Sequence, residues 1–408
     1  MIERSAYKAL VAHLPKRQAT VITGLRRVGK TTAARFLLAQ IAHTNKLYLD
    51  LEKAENRLLF NQSHYGDIET GLRTLGLDLD KPAVLALDEV QLVANIPSVV
   101  KYLYDTYPIK FILTGSSSYY LKNHFTESLA GRKRIFELYP LDFGEYLLFR
   151  GFQPMQYQAV AQQSVNLTAY ALFRADYEEF IQFGGFPEVV QAETQDDKRA
   201  FLKDIVNAYI ELDIKLLADF SVSDDLYRLC QLLAAHTGSR LDVSKLGSIL
   251  GINRNKLTDY LNLFDYTYFI KRIPAFTTNK DREISLQKKV YLADTGLLMV
   301  LGQVSSGQQF ENAIAVQLAH LGDVRYYQRR SGQEIDFILN GTTAIEVKET
   351  ATPHDLKVLT ERATSIGLSE SWLIGRKMPG QPANASETGF MNWYWGGNLV
   401  PMSEPNGA

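Results

Sequence analysis

The chain has almost no cysteine. Cys230 is the only one in 408 residues, so an internal disulfide and a cysteine-ligated zinc site are both excluded. A reducing cytoplasm is the natural compartment for such a sequence. Long apolar runs are lacking too. None approaches the ~18 residues that a membrane span requires, so no membrane partner is expected. The opening Met1-Ile-Glu-Arg-Ser has an early acid and no apolar h-region, unlike a signal peptide. Neither charge dominates: 44 Lys and Arg against 45 Asp and Glu leave a net charge of −1. That excludes a uniformly basic nucleic-acid binder but allows local basic patches. The chain is longer than one typical domain, and roughly two to four domains are expected.

Against these absences stands one dense stretch, Val21-Ile-Thr-Gly-Leu-Arg-Arg-Val-Gly-Lys-Thr-Thr32. It reads G-x-x-x-x-G-K-T, a phosphate-binding loop when it lies between a strand and a helix. Both flanks qualify. Ala19 to Thr23 is short, apolar and β-branched, and Lys30 to Ala42 has apolar residues at helical spacing. Glycines let the backbone approach phosphates, and the helix N-terminus adds partial positive charge. The residues set against a nucleotide are Gly24, Arg27, Val28, Gly29, Lys30, Thr31 and Thr32. Lys30 reaches the β- and γ-phosphates in this reading, and Thr31 holds Mg2+ through its hydroxyl.

Further strands are expected at Lys46 to Asp50 and at Ala83 to Leu87. The second ends in Asp88 and Glu89, at the carboxyl end where parallel strands present ligands. Asp88 is expected to support Mg2+, and Glu89 to orient or deprotonate the attacking water. Lys110 to Ser118 passes from apolar to hydroxyl-bearing residues. Ser116 or Thr114 then bonds that water, or the serines cap the next helix. Ser128 to Leu138 places basic residues before another strand. Arg132 or Arg134 is a candidate arginine finger for a neighbouring subunit, and a surface basic turn is the alternative.

The words TGLRRVGKTT, LALDEVQ, ILTGSSS and LAGRKRIFELYPLDFGEYL resemble the AAA+ ATPases. More closely, the chain is similar to a prokaryotic, archaeal-type group with an N-terminal ATPase and an uncharacterised nuclease-like C-terminal domain. The resemblance implies an α/β fold, a P-loop NTPase (AAA+) with a five-stranded parallel sheet. It also implies ATP with Mg2+ as cofactors, and a homo-oligomer that completes the site. The guanine-reading Asn-Lys-x-Asp is missing, which agrees with ATP.

The ATPase core is expected over residues 1–140. Residues 141–220 are rich in aromatics at helical spacing, and by resemblance form a helical lid over the nucleotide. Residues 221–300 read as a winged helix-turn-helix, with helices near 226–236, 242–251 and 253–264 and wing strands near 267–276 and 284–293. Arg254, Asn255 and Lys256 are expected to face a DNA major groove, and Lys271, Arg272, Lys280 and Arg282 to meet phosphates. Packing or contact with a protein partner is the alternative.

Residues 301–400 show the order helix, three strands, helix, strand. Glu346 and Lys348 are two apart on one strand, so both leave one face. With Glu311 on the first helix and Asp336 on the second strand, this resembles the restriction-endonuclease-like PD-(D/E)XK superfamily. That resemblance implies Mg2+ held by Glu311, Asp336 and Glu346, and a water activated by Lys348. A degenerate copy that only binds or packs keeps the same elements. The overall expectation is a Mg-dependent ATPase acting on DNA. The alternative is a nucleotide-dependent switch that engages a protein partner.

Overall fold

Ala19–Thr23 (β1) is apolar and β-branched and is buried along its whole length, as a strand covered on both faces must be. Its sheet partners are Lys46–Asp50 (β2), Ala83–Asp88 (β3), Ile109–Gly115 (β4) and Lys133–Glu137 (β5). All pair in parallel, in the order β2-β3-β4-β1-β5. The strand leading to Ser116 therefore lies between those of the glycine loop and of Asp88. A parallel sheet gathers its carboxyl ends at one edge. That edge carries Gly24, Asp88 and Ser116.

This computed structural model describes residues 2, 4–116, 129, 131–153, 167–214, 223–277, 280–329, 332–377 and 393–399. Two compact units result. The first holds Met1–Tyr139 with Glu211–Asp219 and Tyr266–Tyr268, and the second holds the remainder. Around the first sheet pack Phe60, Ile68, Leu72, Val99 and Leu103. Phe60, Ile68 and Leu72 belong to helices Ala54–Phe60 and Tyr65–Thr74. The sequence there reads as a polar connector, because so few of its positions are apolar.

In the second unit, helices Phe143–Phe149 and Leu167–Phe183 form where a lid is expected. Asp142 opens the former with a capping box completed by Glu145. Phe143, Tyr146, Tyr177 and Phe180 share one core with Phe310, Ile314, Phe337, Ile345 and Trp395. The Tyr177 hydroxyl donates to Gln317 Oε1 at 2.9 Å, and Gln317 Nε2 donates to Gly396 O at 2.8 Å. The apolar stripe of these helices is buried with the C-terminal sheet. The sequence from Gln153 to Gln163 reads as a Gln-rich connector and that from Pro401 to Ala408 as a polar tail; residues 154–163 and 401–408 lie outside the described residues.

Helices Ser223–Ala235, Val243–Leu250 and Arg254–Tyr266 precede Ile270–Ile273 (β6) and Lys289–Leu292 (β7), an antiparallel pair. The expected second wing strand is shorter, because Lys280–Ser285 is helical. Asp281 and Glu283 in its first turn favour that helix end, and no apolar alternation favours a strand. The helix Ser306–Ala319 then leads into a second sheet of Val324–Gln328 (β8), Glu334–Leu339 (β9), Thr343–Thr350 (β10), Glu370–Lys377 (β11) and Trp393–Trp395 (β12). β8, β9 and β10 pair antiparallel, while β10, β11 and β12 pair in parallel. Helix Pro353–Ser365 makes the crossover between β10 and β11. The element order is the expected one.

Asn312 ties this sheet's first helix to β7. Its Oδ1 accepts from Leu292 N at 2.9 Å and from Thr237 Oγ1 at 2.8 Å, and its Nδ2 donates to Leu292 O at 3.0 Å. Asn312→Leu strips these buried groups of partners at a cost of about 1–3 kcal/mol each. We expect the melting temperature to fall by on the order of 10 °C. Thermal unfolding followed by circular dichroism checks this, and an unchanged midpoint refutes it.

Candidate functional site

The glycine loop is fixed by sterics. Gly24 has φ +152, and a Cβ there would lie 2.0 Å from Leu138 O. Gly29 has φ +100 and starts the helix Lys30–Ala39. Arg27, exposed on the same loop, is also left-handed at φ 65. From outside the loop, Arg4 Nη1 donates to Val28 O at 3.0 Å and Nη2 to Tyr139 O at 2.9 Å. Lys30 is buried, and its ammonium donates to Gly24 O and Leu25 O, each at 3.1 Å. The cation is thus held within the loop's own curve. Thr32 is exposed in the first turn of the helix.

Asp88 is the hub. Thr31 Oγ1 donates to its Oδ2 at 2.7 Å, the Tyr48 hydroxyl donates to the same oxygen at 2.5 Å, and Thr114 Oγ1 donates to Oδ1. Burial and then the Asp88 carboxylate push the Tyr48 phenol well above its ordinary pKa, so it stays a donor. Thr114 also accepts from Glu89 N at 3.1 Å. Of the two hydroxyls the sequence offers for the attacking water, Thr114 thus positions the carboxylate pair. Ser116 is the one tied to the Glu89 side chain. The tie is Gln91, whose Nε2 donates to Glu89 Oε2 and, at 3.0 Å, to Ser116 Oγ. Glu89 itself is left-handed at φ 58 and ψ 51, a conformation costing a non-glycine residue about 1–3 kcal/mol.

Sequence reasoning passes over Tyr48 and Gln91. Gln91's only signal is a polar side chain two residues beyond the acid pair. Thr31 and Asp88 offer adjacent oxygen ligands beside the loop that holds the Lys30 ammonium. That donor set suits Mg2+ on a nucleotide's phosphates.

Arg132 lies elsewhere. Lys133, the next residue, pairs with Ala19 at the amino end of β1, whereas the loop follows its carboxyl end. Arg132 Nε donates to Asp105 Oδ1 at 3.0 Å in a half-exposed ion pair. Arg134 lies over the Phe136 ring, 5.1 Å from its centroid.

In the second unit the two helices expected to flank the turn are both capped. Asp242 accepts from Lys245 N at 3.0 Å to open one helix, and Gly251, at φ +69, ends it. Asn253 then accepts from Lys256 N at 2.9 Å to open the next. Arg254, Asn255 and Lys256 are exposed in that helix's first turn. Arg272 is engaged by Asp265 and Asn262, each at 2.8 Å, so it is not held ready for a phosphate. The Lys280 and Arg282 side chains lie outside the described part of the structure.

The C-terminal acids are linked through Asp336, whose charge acts on both Glu311 and Glu346. Ile345 packs in one core with Phe310 and Ile314, whereas Ala344 packs on the opposite core with Leu359 and Ala363. Alternation therefore sends Glu346 and Lys348 to the Ala344 side, away from the helix that bears Glu311. Lys348 Nζ donates to Glu346 Oε1 at 2.8 Å. Asp336 stands between them, and its Oδ2 accepts from Val347 N at 2.9 Å. On Glu311's side, the buried Lys289 approaches Glu311 Oε1 at 3.7 Å and Glu334 Oε1 at 2.7 Å, while the Tyr291 hydroxyl donates to Glu311 at 2.7 Å. Burial, then the Asp336 charge, raise both Glu311 and Glu346 to about 7. Among the described residues no group of three or more His, Cys, Asp and Glu is arranged to hold a metal ion. Of the expected set, Glu346 and Lys348 pair with each other, while Glu311 shares the buried Lys289 with Glu334.

Residues 16–147 match the family model described as an AAA domain, and residues 174–308 match a Domain of unknown function (DUF8612). An uncharacterized protein of Methanocaldococcus jannaschii is 25% identical over 352 residues, covering 83% of this chain and 77% of its own length. An uncharacterized protein of Haemophilus influenzae is also 25% identical, over 331 residues and 78% of each chain. Among solved structures, the Aeropyrum pernix ORC1 protein in complex with DNA is 11% identical, with a TM-score of 0.35 over 72% of this chain and 90% of that one. Cdc6p of Pyrobaculum aerophilum is 13% identical, with a TM-score of 0.27 over 68% of this chain and 86% of that one. No helix of the described residues is long and apolar enough to cross a membrane. The chain thus carries an AAA domain of the P-loop type, followed by a domain of unknown function.

Proposed function

We propose that the chain is a Mg2+-dependent ATPase. One observation carries the reading: three hydroxyls from three elements fix Asp88 beside the phosphate loop, with Glu89 next to it and tied towards Ser116. ATP's phosphates lie along the backbone of Gly24 to Thr31 in this reading, and Lys30 exchanges its two carbonyl acceptors for the β- and γ-phosphates. Mg2+ held at Thr31 and Asp88 supplies neutralising charge for the phosphates. Glu89 accepts a proton from water as the water oxygen bonds the γ-phosphorus and the bond to the bridging oxygen breaks. Ser116 helps to hold that water.

Arg132 serves only another copy's nucleotide in this scheme. The full length of β1, about 16 Å at 3.3 Å per residue, separates it from its own loop. The reading therefore includes a homo-oligomer. The second unit contacts duplex DNA through Arg254, Asn255 and Lys256, three exposed hydrogen-bonding residues at the start of the helix that follows the turn. No DNA cleavage is assigned to the C-terminal domain.

Lys30→Ala is expected to abolish binding of a fluorescent ATP analogue. Glu89→Gln is expected to keep that binding within a few-fold while turnover falls by roughly 100-fold or more. Undiminished phosphate release from Glu89→Gln sinks the assigned mechanism. For DNA, Arg254→Ala with Lys256→Ala is expected to weaken duplex binding and to flatten the log K against log salt slope by about 0.9 for each phosphate no longer neutralised. ATP turnover without DNA stays unchanged in that double variant. Equal DNA affinity and slope in variant and wild type remove DNA from the reading and leave a protein partner.

A further inference from the structure

Gln91 has no role in the scheme above, yet its amide joins the two side chains on which water activation depends. It is buried at 8 % exposure on a short 3-10 turn, Val90–Leu92, directly after Glu89. Its two N–H groups face two acceptors, the Glu89 carboxylate and the Ser116 hydroxyl oxygen. Its Oε1 is buried and has no partner among the described residues. This fixes which way the amide points. The flipped amide would set a carbonyl oxygen against a carboxylate and would leave both N–H groups unsatisfied.

We propose that Gln91 is a positioning residue for hydrolysis, resting on the ATPase reading of this site. It acts through Glu89 and Ser116 rather than on the nucleotide. By donating to Glu89 Oε2, the amide holds the carboxylate in one rotamer and leaves Oε1 as the oxygen that takes the water's proton. By donating to Ser116 Oγ, it fills an acceptor position there, so the serine's own hydrogen points away from Gln91. The polarity of the chain is thereby set from amide to acid on one side and from amide to hydroxyl on the other. A glutamine suits this place because it does not titrate. It supplies two donors on one planar group and adds no charge beside Asp88 and Glu89. The open Oε1 is a further acceptor on the same planar group. The strained left-handed backbone of Glu89 is consistent with an element held in place by its surroundings.

The test is steady-state ATP hydrolysis by the full chain, with analogue binding and melting temperature measured on the same preparations. In Gln91→Ala, kcat is expected to fall about 10- to 100-fold, the range for removing an orienting group. The KM and the analogue's Kd stay within about twofold, because nothing that touches the phosphates has changed. Gln91→Glu sets a second carboxylate against Glu89 and is expected to be slower still. A kcat within twofold of wild type in Gln91→Ala overturns the proposal. So does a parallel loss of kcat and analogue binding, which marks a merely structural residue. If Gln91→Ala melts far below wild type, Gln91→Glu, which keeps the side chain's length and shape, decides by the same split. Wild type that binds the analogue without releasing phosphate would sink the ATPase reading and this proposal together. An active wild type with an unaffected Gln91→Ala sinks the proposal alone.

Discussion

The nucleotide-binding unit depends on a single buried carboxylate. Asp88 receives Thr31 from the helix after the loop, Tyr48 from β2 and Thr114 from β4, and it ends β3 itself. Four elements are thus held in register at the carboxyl edge of the sheet. A buried acid is tolerated only when its oxygens are hydrogen-bonded, so the fold supplies donors from every neighbour within reach. The same bonds place Thr31 against Asp88, the arrangement that a phosphate-bound metal needs. Stability and site geometry are one requirement here, and Gly24 is its steric counterpart, since any side chain there meets the carbonyl of Leu138.

The second unit is built on a different constraint. Its aromatic helices, the β6–β7 pair and the C-terminal sheet meet in one core around Phe143, Tyr177, Tyr291, Phe310 and Trp395. Buried polar groups lock the parts together. Gln317 bridges Tyr177 to the backbone near Gly396, and Asn312 takes the place of a strand partner for Leu292. The aromatic helices, the β6–β7 pair and the mixed sheet thus share one apolar core.

Much of this was legible in the sequence, and the reasons differ by residue. Gly24, Gly29, Lys30 and Thr31 are legible because local backbone geometry dictates glycine and a fixed spacing. Asp88 and Glu89 are legible because an apolar strand ends on them. The β4 insertion follows the same logic. Tyr48 and Gln91 were not legible, because nothing in their local pattern says that a strand 40 positions away will place Tyr48 beside Asp88. The aromatic helices read correctly as helices, while periodicity tells which face is buried and not that it packs with the C-terminal sheet. The surroundings of Glu311 were no more legible. A helix followed by three strands fixes the order of acids along the chain, but the face each one leaves depends on pleat and packing.

The two acidic centres differ in the charge of what already satisfies them, and this separates their chemistry. Among the described residues the partners of Asp88 are neutral hydroxyls, which lower the cost of burying the carboxylate without cancelling its charge. Around Glu311 the partners are the Tyr291 hydroxyl at 2.7 Å and the Lys289 ammonium at 3.7 Å. Burial alone would lower the pKa of Lys289, but the charges of Glu311, Asp336 and Glu334 overcome that and raise it. The Lys289 ammonium is buried and anchored at 2.7 Å to Glu334. Removing one partner of such a pair leaves an uncompensated buried charge, commonly at a cost of about 3–5 kcal/mol. The two acidic centres are therefore satisfied differently. Hydroxyls hold Asp88, whereas a buried lysine and a tyrosine hydroxyl share the other cluster.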